Sequence, residues 1–233
     1  AVPSILMMLC MSLYTIVDGI FISRFVGTDA LSASNIVFPY INVLMGVAIM
    51  LGTGSSAIVA RKMGEGRLEE AKSIFTFISV VTIVFGVVTA LGSLFFLDPI
   101  IYGLGSSDQL YPYCYDYLKL LILFAPACLL QVFFQSLFVT AGKPGLGLCL
   151  TITAGLANVI LDYVFIVPLE MGISGAAWGT IIGYMIPSGV GILFFSCRRQ
   201  GLRFAKFRFN GNALKNSCLN GSSEMVTNLS AGI

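Results

Sequence analysis

Residues 145–167 read GLGLCLTITAGLANVILDYVFIV, a stretch of 23 in which Asp162 is the sole charge. About 20 apolar residues carry a helix across a bilayer. The run is apolar on every side, so it does not alternate as the strands of a membrane barrel do. It reads as a transmembrane helix. Its carboxylate is the anomaly: an Asp at mid-span costs roughly 2.5–3.5 kcal/mol on insertion scales, and such residues face a cavity or a partner.

Outward from this stretch the pattern repeats. Gly142-Lys143-Pro144-Gly145 forms a turn before it, with Pro144 placed for a helix start, and Pro168-Leu169-Glu170 closes it. Further spans are expected at about Leu120–Gly142, with Pro126 inside, and at about Gly172–Cys197. Three precede these: Val2 to about Arg24, interrupted by Asp18; one within Ala30–Ala60, with Pro39 as its kink site; and about Ser73–Leu97. Asp98-Pro99 and the stretch from Gly103 to Pro112 read as loop. The expected organisation is a transmembrane lobe over 1–197, a basic linker over 198–217, and the start of a further helix over 218–233. Both chain ends fall inside apolar runs, so the chain reads as a fragment.

Composition agrees. Hydrophobic residues make up 57% and charged residues 10% of the 233, against roughly 25% charged in soluble domains. The net charge of +2 and the lack of a basic run with interleaved aromatics argue against nucleic acid as a partner. Histidine is absent, so proton or ion chemistry falls to carboxylates and neutral oxygens. The six cysteines form no C-x-x-C pair and read as small buried hydrophobes. Gly52-Thr53-Gly54-Ser55-Ser56 lacks the lysine of a phosphate loop. Most of the Lys and Arg lie in the loops after spans two, four and six, which places those loops and the N-terminus on the cytoplasmic side.

Asp18 lies six residues before Arg24, Asp162 six before Pro168, and Thr180 eight after Gly172. On that topology all three sit in one layer, about 9–12 Å below the outer surface. Asn158 and Asp162, four apart, share a helix face. Gly175, Gly179 and Gly183 recur every four residues and permit close approach of the neighbouring helix. Asp18, Asn158, Asp162 and Thr180 together offer two carboxylates, an amide oxygen and a hydroxyl. Such oxygens suit a hard cation such as Na⁺, and two close carboxylates in low dielectric also suit a shared proton. The spacing does not choose between the ions. Gln131, Gln135 and Glu224 are candidate cavity residues.

Several motifs carry a family resemblance: Asp18-Gly19-Ile20-Phe21-Ile22-Ser23-Arg24 with Gly27-Thr28-Asp29-Ala30-Leu31, then Gly142-Lys143-Pro144, Asn158-Val159-Ile160-Leu161-Asp162, and Gly172-Ile173-Ser174-Gly175-Ala176-Ala177-Trp178-Gly179-Thr180. Together they resemble bacterial MATE (multidrug and toxic compound extrusion) transporters over nearly the whole chain. The resemblance implies an all-α membrane protein: the six-helix N-lobe of a twelve-helix transporter plus the start of helix seven. It implies export of organic cations and other drugs across the cytoplasmic membrane in exchange for Na⁺ or H⁺. It implies no enzymatic activity and no cofactor beyond the coupling ion. The partners it implies are small-molecule drugs, the bilayer and a C-terminal lobe. Asp18, Asn158, Asp162 and Thr180 match its cation site, Gln135 matches a polar cavity position on helix four, and Glu224 is a candidate for a functional Glu on helix seven. The rival readings are a lipid-linked oligosaccharide flippase of the same superfamily and an intramembrane hydrolase using Asp18 and Asp162 as a dyad. The first calls for basic residues inside the spans, and these spans hold carboxylates instead.

Overall fold

A computed structural model describes residues 2–198 and 200–231, and among these it holds helices and no strands. Helix α1 spans Val2–Phe21 and runs on through a π-helical segment, Ile22–Val26. Gly27, at φ 128°, then turns the chain through a conformation that L side chains avoid. Helix α2 (Thr28–Gly64) has 37 residues, about 55 Å at 1.5 Å per residue, so it extends beyond a ~30 Å hydrocarbon core. The remaining helices are α3 (Leu68–Phe95), α4 (Leu97–Gly103), α5 (Tyr111–Leu123), α6 (Ala125–Thr140), α7 (Pro144–Ile166), α8 (Ile173–Cys197) and α9 (Gly211–Ala231).

Among the described residues, four helices are each long and apolar enough to cross a membrane: α2, α3, α7 and α8. The α5–α6 pair, bent by 59°, is long and apolar enough only when its two helices are taken together. Exposed apolar residues recur three or four apart on single faces: Leu9, Leu13, Ile16 and Ile20 on α1, and Val84, Val88, Leu91 and Phe95 on α3. Such one-sided stripes on helices that also bury a face suit a lipid boundary. The interior divides into two packed ends. At one end the buried residues include Ile22, Ala33, Ile101, Leu118 and Ala177. At the other, Phe75, Phe133, Phe134, Phe138 and Phe195 interlock, with ring centroids as close as 4.7 Å.

Three local features depart from expectation. Asp98-Pro99 lies in the first turn of α4, not in a loop. Leu97 and Ile101 are buried beneath it, Pro is tolerated in a first turn, and Asp98 favours the positive helix end. The fourth span begins earlier than Leu120 and breaks at Phe124, because Pro126 has no N–H to continue the ladder of α5. Gly86 of α3 accepts that break: a Cβ there would stand 2.7 Å from Pro126 Cα. Finally, α9 starts at Gly211, before the expected Cys218, because Asn210 caps it by accepting the Ala213 N–H at 3.0 Å.

Helix α9 runs antiparallel to α2 along a seam of small residues. A Cβ at Gly54 would collide with the Ser217 carbonyl, and one at Gly221 with the Met50 carbonyl. Farther along, a Cβ at Gly46 would stand 3.3 Å from Met225 Cγ, and Asn228 Nδ2 donates to Asn42 Oδ1 at 3.0 Å.

Candidate functional site

A chamber of about 310 Å³ lies between α1, α2, α5, α6, α7 and α8. Apolar side chains of α2 (Leu31, Phe38, Ile41, Leu44 and Met45) form one wall. The polar wall comes from Asp18 on α1, Asn158 on α7 and Thr180 on α8. Among the described residues this lining holds no Lys or Arg. Asp162 sits just behind the wall, wholly buried, with its carboxyl group within hydrogen-bonding reach of that of Asp18.

The helices deliver these groups by simple phasing. The four-residue step from Asn158 to Asp162 turns both inward, and Asn158 is 3% exposed. Glycines let α8 come close enough to complete the cluster. Gly175 packs on Phe165, with 3.0 Å between its would-be Cβ and Phe165 Cβ, and Gly183 packs on Ala154 O at 3.2 Å. At Gly179 a Cβ would occupy the space of Asp162 Oδ1. The same approach brings Thr180 to Asn158, whose Nδ2 donates to Thr180 Oγ1 at 3.3 Å.

The hydrogen-bond balance of the cluster is one-sided. Asp18 Oδ1, Asn158 Oδ1, both Asp162 oxygens and the nearby Gln131 Oε1 are buried and receive no bond from any described donor. Buried acceptors are nearly always satisfied in native proteins, and each orphan costs about 1–3 kcal/mol. Five orphan acceptors, three of them on the two facing carboxyl groups, make a site complementary to a cation. The oxygen set of Asp18, Asn158, Asp162 and Thr180 fits Na⁺ in donor type, and the carboxyl pair fits a proton.

The structure thus gathers Asp18, Asn158, Asp162 and Thr180. Gln131 joins them from α6, lining a small side recess with Tyr14, Thr151, Asn158, Thr180 and Tyr184. Gln135 lies one turn farther along α6 and donates to Thr151 Oγ1 at 3.3 Å; it is outside the chamber lining. Glu224 is exposed on α9 and also outside that lining. Three tyrosines that the sequence reading missed complete the chamber: Tyr14, Tyr117 and Tyr184. Tyr14 and Tyr184 hydrogen-bond to each other. Spacing could have found two of them, since Tyr14 precedes Asp18 by four residues and Tyr184 follows Thr180 by four.

Residues 3–164 of the chain match the MatE family. Among curated proteins it is 26% identical over 195 residues to the multidrug export protein MepA of Staphylococcus saprophyticus subsp. saprophyticus, a match covering 84% of this chain and 43% of that protein. It is 28% identical over 197 residues to MepA of Staphylococcus haemolyticus, covering 83% of this chain and 44% of that one. The chain therefore spans less than half the length of these relatives. Among solved structures, it overlays a crystal structure of MATE in complex with MaD3S with a TM-score of 0.91 at 22% identity, covering 98% of this chain and 52% of the other. That overlay supports the fold alone, and it extends over about half of the other chain.

Proposed function

Because the chain belongs to the MatE family, we propose that it forms the N-terminal lobe of a cation-coupled multidrug exporter of the cytoplasmic membrane, with its N-terminus on the cytoplasmic side. The observation that carries the reading is the surplus of orphan acceptors around Asp18, Asn158 and Asp162. An ion entering the cluster supplies the missing positive partner. A Na⁺ ion would draw on Asp18, Asn158, Asp162 and Thr180; a proton would sit between the two carboxyl groups. Gln131 and the three tyrosines border the same space. The apolar wall from α2 offers an amphipathic drug a surface, and the anionic wall offers its positive group a partner. Drug and ion then compete for one charged site, the simplest basis for exchange.

Coupling requires the ion to bind two conformations unequally. With their side chains this close the two carboxyl groups repel unless a cation or proton lies between them, so ion loading favours this packing of α1 against α7. The lining carries a carboxylate and no described Lys or Arg, which favours a cationic cargo over the pyrophosphate-linked cargo of a flippase.

The test is transport by the full-length protein in liposomes, with Na⁺ and pH gradients imposed separately. Asp162→Asn is expected to abolish the response to the coupling gradient and to reduce export about a hundredfold, the loss of roughly two tenfold steps of 1.4 kcal/mol. Unchanged export with unchanged ion dependence would sink the proposal. The gradient that drives the wild type identifies the ion.

A further inference from the structure

Beyond the chamber, a cleft of about 840 Å³ opens at the far end of the molecule between the α2–α3 turn, the segment 202–210 and the start of α9. Lys62, Lys72, Arg203, Lys206 and Arg208 line it, against Glu69 and Glu70. The two lysines are committed: Lys62 pairs with Glu70 at 2.8 Å and Lys72 with Glu69 at 2.7 Å. Among the described residues no carboxylate lies within ion-pair distance of Arg203, Lys206 or Arg208. The recess therefore carries a net positive charge, five basic side chains against two carboxylates, with Glu69 also in Coulombic reach of Arg203. Asn212 and Ala213, in the first turn of α9, also border it, and a helix start adds partial positive charge.

The segment is held in place although it has no regular structure. The Phe204 N–H donates to Phe195 O at 3.1 Å, and the Ala205 N–H to Thr76 Oγ1 at 2.9 Å. Leu202 is fully buried. Its basic residues are thus arranged in advance of any ligand. They alternate with Phe204, Phe207 and Phe209, which corrects the expectation that no basic run here carries interleaved aromatics. Phe207 and Phe209 lean on Phe77, with centroids at 5.8 and 5.4 Å, yet remain 54% and 81% exposed. Basic side chains with exposed aromatics beside them, at the end of a membrane bundle, match a bilayer surface: the rings enter the headgroup–acyl boundary and the cations meet anionic headgroups.

We propose that this cleft is a binding site for the phosphate-bearing headgroup of an acidic phospholipid, with Arg203, Lys206 and Arg208 as its cationic contacts and Phe207 and Phe209 as its membrane anchor. The same Lys and Arg excess that marks this end as cytoplasmic places it at the leaflet richest in such lipids. A free phosphate shares the headgroup's charge but gains nothing from the two rings, and this separates the two sources.

The experiment uses the full-length protein in detergent and measures retention of phosphatidylglycerol against phosphatidylcholine by native mass spectrometry, with inorganic phosphate as competitor. The wild type is expected to prefer phosphatidylglycerol about tenfold or more, since each basic residue near a membrane surface contributes roughly fivefold. Arg203→Gln/Lys206→Gln/Arg208→Gln is expected to remove the preference, and Phe207→Ser/Phe209→Ser to weaken retention of the lipid. Lys206→Gln and Arg208→Gln singly, both at exposed positions, should each lower the preference severalfold if the triple variant fails to fold. Wild-type preference in these variants would overturn the site. Displacement of the lipid by inorganic phosphate at equal concentration would overturn its assignment to a lipid.

Discussion

Replacing Gly179 by alanine should disturb the proposed ion site without replacing any of its polar groups. A Cβ at this position falls on Asp162 Oδ1, with Asp162 Cγ at 3.2 Å and its backbone N at 3.3 Å. Carbon and oxygen prefer to stand about 3.5 Å apart, so the carboxyl group must swing away by more than about 1 Å. Gly175→Ala supplies the control. Its Cβ meets Phe165 Cβ at 3.0 Å and Phe165 C at 3.1 Å, pressing the same helix pair apart without reaching the carboxylate. Overpacking costs typically ~1–3 kcal/mol, and both variants should lose stability in that range. Their transport should differ. A misplacement of ~1 Å in a positioned group can cost ~100-fold, so Gly179→Ala should weaken ion-driven export by about that factor. Gly175→Ala should follow its stability loss alone. The assay is efflux from liposomes by the full-length protein under an imposed ion gradient, with thermal unfolding measured on the same preparations. Equal transport defects at equal destabilisation, or intact ion coupling in Gly179→Ala, would refute the reasoning.

Other outcomes follow from single contacts. Thr180→Val leaves the buried Asn158 Nδ2 without its acceptor and should cost ~1–3 kcal/mol in unfolding free energy; Thr180→Ser should restore both stability and ion dependence. Gly221→Val drives a side chain into the Met50 carbonyl, so α9 should lift from α2 and the segment 200–210 should become protease-sensitive, while Asn212→Ala on the exposed start of α9 should not do this. In the α2–α3 turn, the Arg61 N–H bond holds the Glu65 carboxyl below its usual range. The ordering it gives is therefore full at neutral pH and fades as pH falls through that lowered value. Hydrogen-exchange protection factors at residues 61–67, taken against the intrinsic rate at each pH, should fall in acid and in high salt, and Glu65→Gln should show no acid step of this origin.

The spans were legible because charge-free length is a strong signal that needs no tertiary information. The cluster of Asp18, Asn158, Asp162 and Thr180 was legible because depth and four-residue spacing are both readable along one chain. The bend at Phe124 was not. Pro126 marks a break, but its 59° angle depends on Gly86 of α3, nearly forty residues away. Tyr117 gave no signal because its helix begins in what reads as loop. The short α4 hid for a related reason, since seven residues hold too little periodicity to stand out. The segment 202–210 looks like a plain linker until Thr76 and Phe195 are seen to receive its N–H groups. Glu224 lies on the exposed face of α9, which turns Ser217 and Gly221 toward α2.

The seam between α2 and α9 also bears on how the protein is made. The Gly46–Gly54 face of α2 enters the bilayer early in synthesis, and α9 leaves the ribosome only after six intervening helices. Until then lipid must fill the groove, and the Asn42 amide waits without Asn228. When α9 arrives, the collisions built into Gly54 and Gly221 leave room for a single register, because a slip by one residue would drive a side chain into a carbonyl. The two asparagines then find each other only in the correct seating. A misplaced α9 leaves two amides stranded in hydrocarbon, a defect that membrane quality-control machinery can sense.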